Sequence, residues 1–243
     1  MSYEIIKEKD IPEIDVLVAG FPAMGLIGGI ASEQLINSLE LEQVASVKCD
    51  EFSPTAVIFD GIPRRPVRFF AGKGFLLVKS DMVIPPELSD GLAEAVIDWA
   101  ADQGVREVII FDAIPEREGA EGDKKVWGVL STYAATEQAK ELDIDLIKRG
   151  AITGISSSML LYAAEKELIA VGMLAEGSAS LPDPRAAAIL LEKFAEYREL
   201  DIDTSSLLES AEDIEKQYTK LVSQANKAQD DMDTRSAAPP IYG

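Results

Sequence analysis

The sequence predicts an α/β fold built on a mostly parallel sheet, and three observations carry that expectation. Short apolar runs recur, with VLVA at 16–19, GFLLVK at 74–79, EVIIF at 107–111 and IAVGML at 169–174. A continuous apolar run, rather than an alternating one, belongs to a strand covered on both faces, as in a parallel sheet. These runs alternate with stretches of helical spacing, the pattern of repeated strand-loop-helix units. The third observation is size: 243 residues, 47% of them hydrophobic, suffice for one large domain with a full core.

The first unit, Val16 to Ser38, organises the rest. Val16, Leu17, Val18 and Ala19 form a buried strand, a loop holds Gly20, Phe21, Pro22 and Gly25, and a helix follows through Ile27, Ile30, Leu35 and Leu39. Gly25, Gly28 and Gly29 let the helix start lie close against the strand, because no Cβ intervenes. Gly20 and Gly25 have the spacing of a phosphate-cradling loop, but Leu26 and Ile27 follow where Lys and Ser/Thr are required. Close packing is the expected role of these glycines; anion binding by the helix N-terminus alone is the alternative.

Further along, strands are expected over 43–49, 55–59, 67–71 and 74–79, with Asp60-Gly61-Ile62-Pro63 as a turn. Arg64, Arg65 and Arg68 make a local basic cluster, either a solvated hairpin tip or a contact with an acidic neighbour. Residues 80–86 are a loop, because Ile84-Pro85-Pro86 cannot extend either neighbour. Loops after strand ends are where α/β proteins place ligands, so Met82 and Pro85 join Gly20, Phe21, Pro22 and Gly25 as candidate cleft residues. A helix over 87–103 carries Leu88, Leu92, Val96 and Trp99 on one face, and Gly104 ends it.

After the strand 107–111, the charged stretch 112–125 is expected to be a mobile surface loop whose carboxylates face solvent. Residues 127–141 are expected to be helical and 144–147 a short strand. Gly150 to Glu167 repeats the opening theme of glycine turn and helix, with Ser156, Ser157 and Ser158 at the N-cap. The strand 169–174 follows, then a helix with Asp183 as N-cap and Pro184 at its first position. Ser206-Leu207-Leu208-Glu209 is a capping box opening a last helix. Its seam of Leu207, Ala211, Ile214, Tyr218, Leu221 and Ala225 packs either on its own domain or on another subunit. A core domain is thus expected over 1–203, a C-terminal helix over 204–228 and an extended tail over 229–243.

Composition excludes several function classes. The chain holds 23 basic and 43 acidic residues, for a net charge of −20. That balance opposes binding to nucleic-acid backbones and to anionic membranes. It suits either a salty cytoplasm or a basic partner, and the salt reading is the favoured one. There is no histidine, so Ser-His-Asp and Cys-His catalysis and the commonest metal ligand are absent. No catalytic residue, metal site or cofactor is expected. Cys49 is alone and fits an inert buried strand residue in a reducing cytosol. The opening MSYEIIKEKD lacks the apolar region of a signal peptide, and no run of about 18 apolar residues spans a membrane.

Several segments together resemble the proteasome assembly chaperone 2 family. They are GFPAMGLIGGIA, DGIPRRPV, AVIDWAADQGVREVIIFDAIP, KRGAITGISSSMLLYAAEKEL, and DPRAAAILLEKFAEYRELDID followed by SLLESAEDIE. Each is moderately specific; their order and spacing over roughly residues 10 to 220 are strong. The resemblance implies a three-layer α/β/α sandwich, purine-nucleoside-phosphorylase-like, and ATP-independent chaperoning or activation of the proteasome. It also implies a homo-oligomer, archaeal in origin and haloarchaeal by its charge.

The last residues, Pro239-Pro240-Ile241-Tyr242-Gly243, match the hydrophobic-Tyr-X motif of proteasome activators and assembly factors. The resemblance implies that Ile241, Tyr242 and the Gly243 carboxylate enter pockets between α-subunits of the proteasome core particle. An apolar anchor, an aromatic hydroxyl and a carboxylate for a pocket lysine are chemically sufficient for such docking. The fifteen residues from 229 span about 50 Å when extended. The competing expectation is a small-molecule (nucleoside-like) binding protein or enzyme using the glycine-lined cleft.

Overall fold

The computed structural model describes residues 2–116, 124–179 and 181–211. Its centre is a nine-stranded sheet of order β1-β3-β6-β7-β2-β8-β11-β9-β10. The strands are β1 Tyr3–Lys7, β2 Val16–Gly20, β3 Glu42–Cys49, β6 Val67–Gly72, β7 Phe75–Ser80, β8 Glu107–Pro115, β9 Val126–Leu130, β10 Asp145–Leu146 and β11 Ile169–Gly177. A separate two-stranded hairpin joins β4 Val57–Phe59 to β5 Ile62–Arg64. Helices are α1 Ile27–Leu39, α2 Pro86–Asp102, α3 Thr136–Glu141, α4 Ile155–Glu165 and α5 Pro184–Tyr197. Residues 205–211 begin a further helix, α6.

The four central strands β7, β2, β8 and β11 run parallel, in register from Val16 opposite both Phe75 and Glu107. Both faces of these strands are buried, which is why they are apolar without alternation. Toward one edge β6, β3 and β1 pair antiparallel, and on the other side β9 pairs antiparallel with β11. Helices α2 and α4 cover one face; Leu92, Val96, Ile97, Met159 and Ala163 pack there against Leu17, Leu76 and Val108. Helices α1 and α5 cover the other, where Ile27, Leu35, Leu191 and Phe194 meet Val18, Leu77 and Phe111. The result is the three-layer α/β/α arrangement.

Several expectations need correction. Residues 127–141 are not one helix: β9 occupies Val126–Leu130, and only Thr136–Glu141 is α-helical. Pairing with β11 and the seating of Leu146 over Gly128 hold that segment extended. Asp112 to Pro115 is not loop but the end of β8, carried on by parallel pairing with Leu174 to Gly177. Asp60 and Gly61 alone turn the hairpin, and Ile62 to Arg64 form its second strand. Arg68 does not share the exposed tip with Arg64 and Arg65. It is buried, ion-paired to Asp81 at 2.6 Å, with its guanidinium over the Phe59 ring.

At α4 the N-cap is Gly154, with no side-chain cap; Ser157 instead donates its hydroxyl to the Gly154 carbonyl. At α6 Ser206 is already helical rather than the cap, and Asp203, just before the helix start, accepts from the Ser205 N–H. Leu207 and Ala211 are buried on their own domain, Leu207 within the α1/α5 core. The rest of that expected helix and the tail lie outside the described residues. Asp183 does cap α5, accepting from the Ala186 N–H at 3.0 Å with Pro184 next in line.

Candidate functional site

The crossing of β2 and α1 determines where the chain opens. A Cβ on Gly28 would lie 2.5 Å from the Phe111 carbonyl oxygen, and one on Gly20 would overlap Ser32 and the Gly28 carbonyl. Strand and helix therefore touch backbone to backbone. The loop between them is pushed out over the strand end, with Gly25 and Leu26 both left-handed at φ 61° and 53°. Gly29 is different, because a Cβ there would make only ordinary contact with Pro22.

The segment before α5 clamps this loop. The Asp183 N–H donates to the Gly25 carbonyl at 2.9 Å. Its carboxylate accepts from the Ser178 N–H at 2.9 Å and from Lys124 Nζ at 2.6 Å. Burial alone would push that carboxyl up; the Lys124 hydrogen bond and the two N–H donors overcome it and hold the carboxyl below its ordinary value.

A cleft of about 730 Å³ opens at the carboxyl ends of β2, β7 and β8. Phe21 to Met24 line it after β2, Val83, Ile84 and Pro86 after β7, and Asp112 to Pro115 at the end of β8. Residues 147–156, running into α4, close the opposite side. Adjacent parallel strands β7 and β2 send their connections in opposite directions, β2 through α1 to β3 and β7 through α2 to β8. Such a reversal leaves a crevice outside the strand ends, the usual ligand position in open α/β sheets.

Asp112 is the ionisable group at the floor, 9% exposed. It accepts from the Ala113 N–H at 2.8 Å and is hydrogen-bonded by the Ser156 hydroxyl of α4. Burial pushes its carboxyl above the ordinary value, against the lowering effect of those donors. Ser89, also buried there, donates to the Pro85 carbonyl at 3.1 Å. Among the described residues no cluster of three or more Cys, Asp or Glu is placed to hold a metal.

Of the residues expected at the cleft, Phe21 and Pro22 line it. Gly20 lies under α1, Gly25 faces the Ser178 carbonyl, Met82 is bonded back to the Ser80 hydroxyl, and Pro85 caps α2. Ile241, Tyr242 and Gly243 lie outside the described residues. Asp112 and Ser156 were missed as partners. The available signal was a lone acid directly after the apolar run VIIF, where a strand end meets a cleft.

The model of the PAC2 family matches residues 17–222. The chain belongs to that family. An uncharacterized protein of Methanocaldococcus jannaschii is 30% identical over 212 residues, 87% of each chain. Pyrococcus furiosus PbaA, described as an archaeal homolog of proteasome-assembly chaperone, superposes with a TM-score of 0.82 at 26% identity. That match covers 96% of this chain and 97% of PbaA. P. furiosus PbaB, described as an archaeal proteasome activator, shares the fold with a TM-score of 0.79 at 22% identity, over 90% of this chain and 98% of its own. The PAC2 fold thus accounts for the three-layer core, and no described helix is long and apolar enough to cross a membrane.

Proposed function

We propose that this PAC2-family protein is a proteasome assembly chaperone or activator that acts without ATP. The observation that carries the reading is the likeness to PbaA, which extends over nearly the full length of both chains. The docking element is the segment Ile241-Tyr242-Gly243, entering pockets between α-subunits of the proteasome core particle. Ile241 supplies apolar contact, and Tyr242 adds ring area and a hydroxyl. The stiff Pro239-Pro240 pair lowers the entropy lost when the segment docks.

One short segment binds weakly. The protein therefore works as a homo-oligomer, in which each docked tail raises the effective concentration of the next. In this reading residues 1–203 are the platform, 204–228 the stem and 229–243 the reach. The setting is cytoplasmic, and the acidic surface suits a salt-rich one.

The test is co-purification with archaeal core particles in high salt. Full-length protein is compared with Tyr242→Ala and with a chain lacking residues 241–243. Capture by the full-length chain, lost by tenfold or more in both variants, is the expected result. Equal capture of all three would move the contact to the folded domain, and capture of none would overturn the proteasome reading.

A further inference from the structure

The cleft is lined by residues of the three-layer core, between Phe21 and Leu174, and its chemistry is selective. Phe21, Ile84 and Leu174 are buried apolar side chains lining it. Around 730 Å³ is the size of a pocket that encloses a small organic molecule. The ionisable group at its floor is the Asp112 carboxyl, which accepts from two donors, the Ala113 N–H and the Ser156 hydroxyl. A carboxylate carries about four acceptor positions, so acceptor capacity is left over.

A ligand group facing Asp112 must therefore donate. A second carboxylate or a phosphate there would set two negative charges together in a poorly solvated pocket. A protonated amine reverses the sign of that interaction and gives the buried carboxylate a counter-charge. The net charge of −20 works the same way at long range, concentrating cations and depleting anions near the protein. Lys148 and Arg149, at the exposed rim, oppose a polyamine and leave room for a single charge.

We propose that this cleft binds a small organic monoamine, its apolar body against Phe21, Ile84 and Leu174 and its N–H groups on the Asp112 carboxyl.

Three probes share one bicyclic body and differ only in the head: tryptamine, tryptophol and indole-3-acetate. Each is titrated into the full-length protein by NMR at about 0.3 M salt, which screens non-specific attraction to the acidic surface. Tryptamine is expected to saturate and to bind at least tenfold tighter than indole-3-acetate, with tryptophol between them. Asp112→Asn should cost tryptamine at least tenfold and change tryptophol less than threefold. Saturable binding of none of the probes, indole-3-acetate binding as tightly as tryptamine, or an unchanged tryptamine affinity in Asp112→Asn would each overturn the proposal. The ranking of the three probes is read on the native chain, so a misfolded variant cannot hide the outcome. Loss of tryptamine binding with proteasome capture intact would separate this site from the tail.

Discussion

The chain contains two glycine-then-helix units, and they use glycine for opposite reasons. In the first, at β2 and α1, Gly20 and Gly28 are where backbone meets backbone, with no room for a methyl group. In the second, leading into α4, a Cβ on Gly154 would meet nothing within 4 Å. Gly154 is needed for its conformation, φ 78° and ψ −161°, a region that side chains disfavour. The first unit is clamped from above by Asp183 and its partners; the second forms a wall of the cleft. A similar sequence signature thus marks the tightest point of the fold in one place and the rim of an open space in the other.

Gly28→Ala tests the tight crossing and carries the largest expected effect. Its methyl group would press on the Phe111 carbonyl, which the central sheet holds in place, so a loss of about 3 kcal/mol or more is expected by urea denaturation. A loss below about 1 kcal/mol would mean that α1 can lift away from β8. Asp183→Ala removes the α5 cap, the Ser178 contact and the Lys124 ion pair together, and should cost about 2–3 kcal/mol.

Gly154→Ala should cost less, about 1–2 kcal/mol, because only the backbone conformation is strained. If it cost as much as Gly28→Ala, the contrast between the two units would fail.

Two buried carboxylates, Asp183 and Asp112, sharpen the same contrast through pH. The Asp183 carboxyl lies below its unfolded value near 3.8, so its contribution is full above that pH and is lost as pH falls through the folded value. Asp112 lies above its unfolded value, so the fold is penalised as pH rises from about 3.8 through its folded value. Melting curves between pH 3 and 7 should show Asp183→Ala falling furthest behind the wild type at the upper end. Asp112→Asn should instead gain on the wild type as pH rises. Parallel curves for either variant would contradict the corresponding shift. The smallest effect belongs to Gly29→Ala: a helical glycine with ordinary space around it should gain about 0.5–1 kcal/mol.

Local signals sufficed where one segment contained its own reason. The β2 run, the close-packed Gly28 of α1, the Asp183-Pro184 start of α5 and the Gly104 stop of α2 were legible from neighbouring residues alone, whereas Gly29 has room for a side chain. They failed where a distant partner decided. VWGVL carries strand chemistry, yet the helical spacing that follows it drew the expected helix backward, and only β11 settles that it is a strand. Tyr3–Lys7 carried no strand expectation, but it adds an edge strand to β3, with Tyr3, Ile5 and Ile6 partly buried and Glu4 and Lys7 exposed.

Arg68 shows the same limit. Beside Arg64 and Arg65 it looked like surface charge, but its place on a strand facing Asp81 makes it a buried ion pair. Sequence by itself determined the fold class, the family, the absence of histidine chemistry and the Ile-Tyr-Gly motif, because composition, periodicity and motif are properties of the chain read locally. Only the tertiary structure decided that Asp112, Ser156 and Ile84 meet at one cleft. Those residues come from a strand end, a helix start and a loop far apart in the chain, and the order in which strands pair, not their spacing along the chain, brings them together.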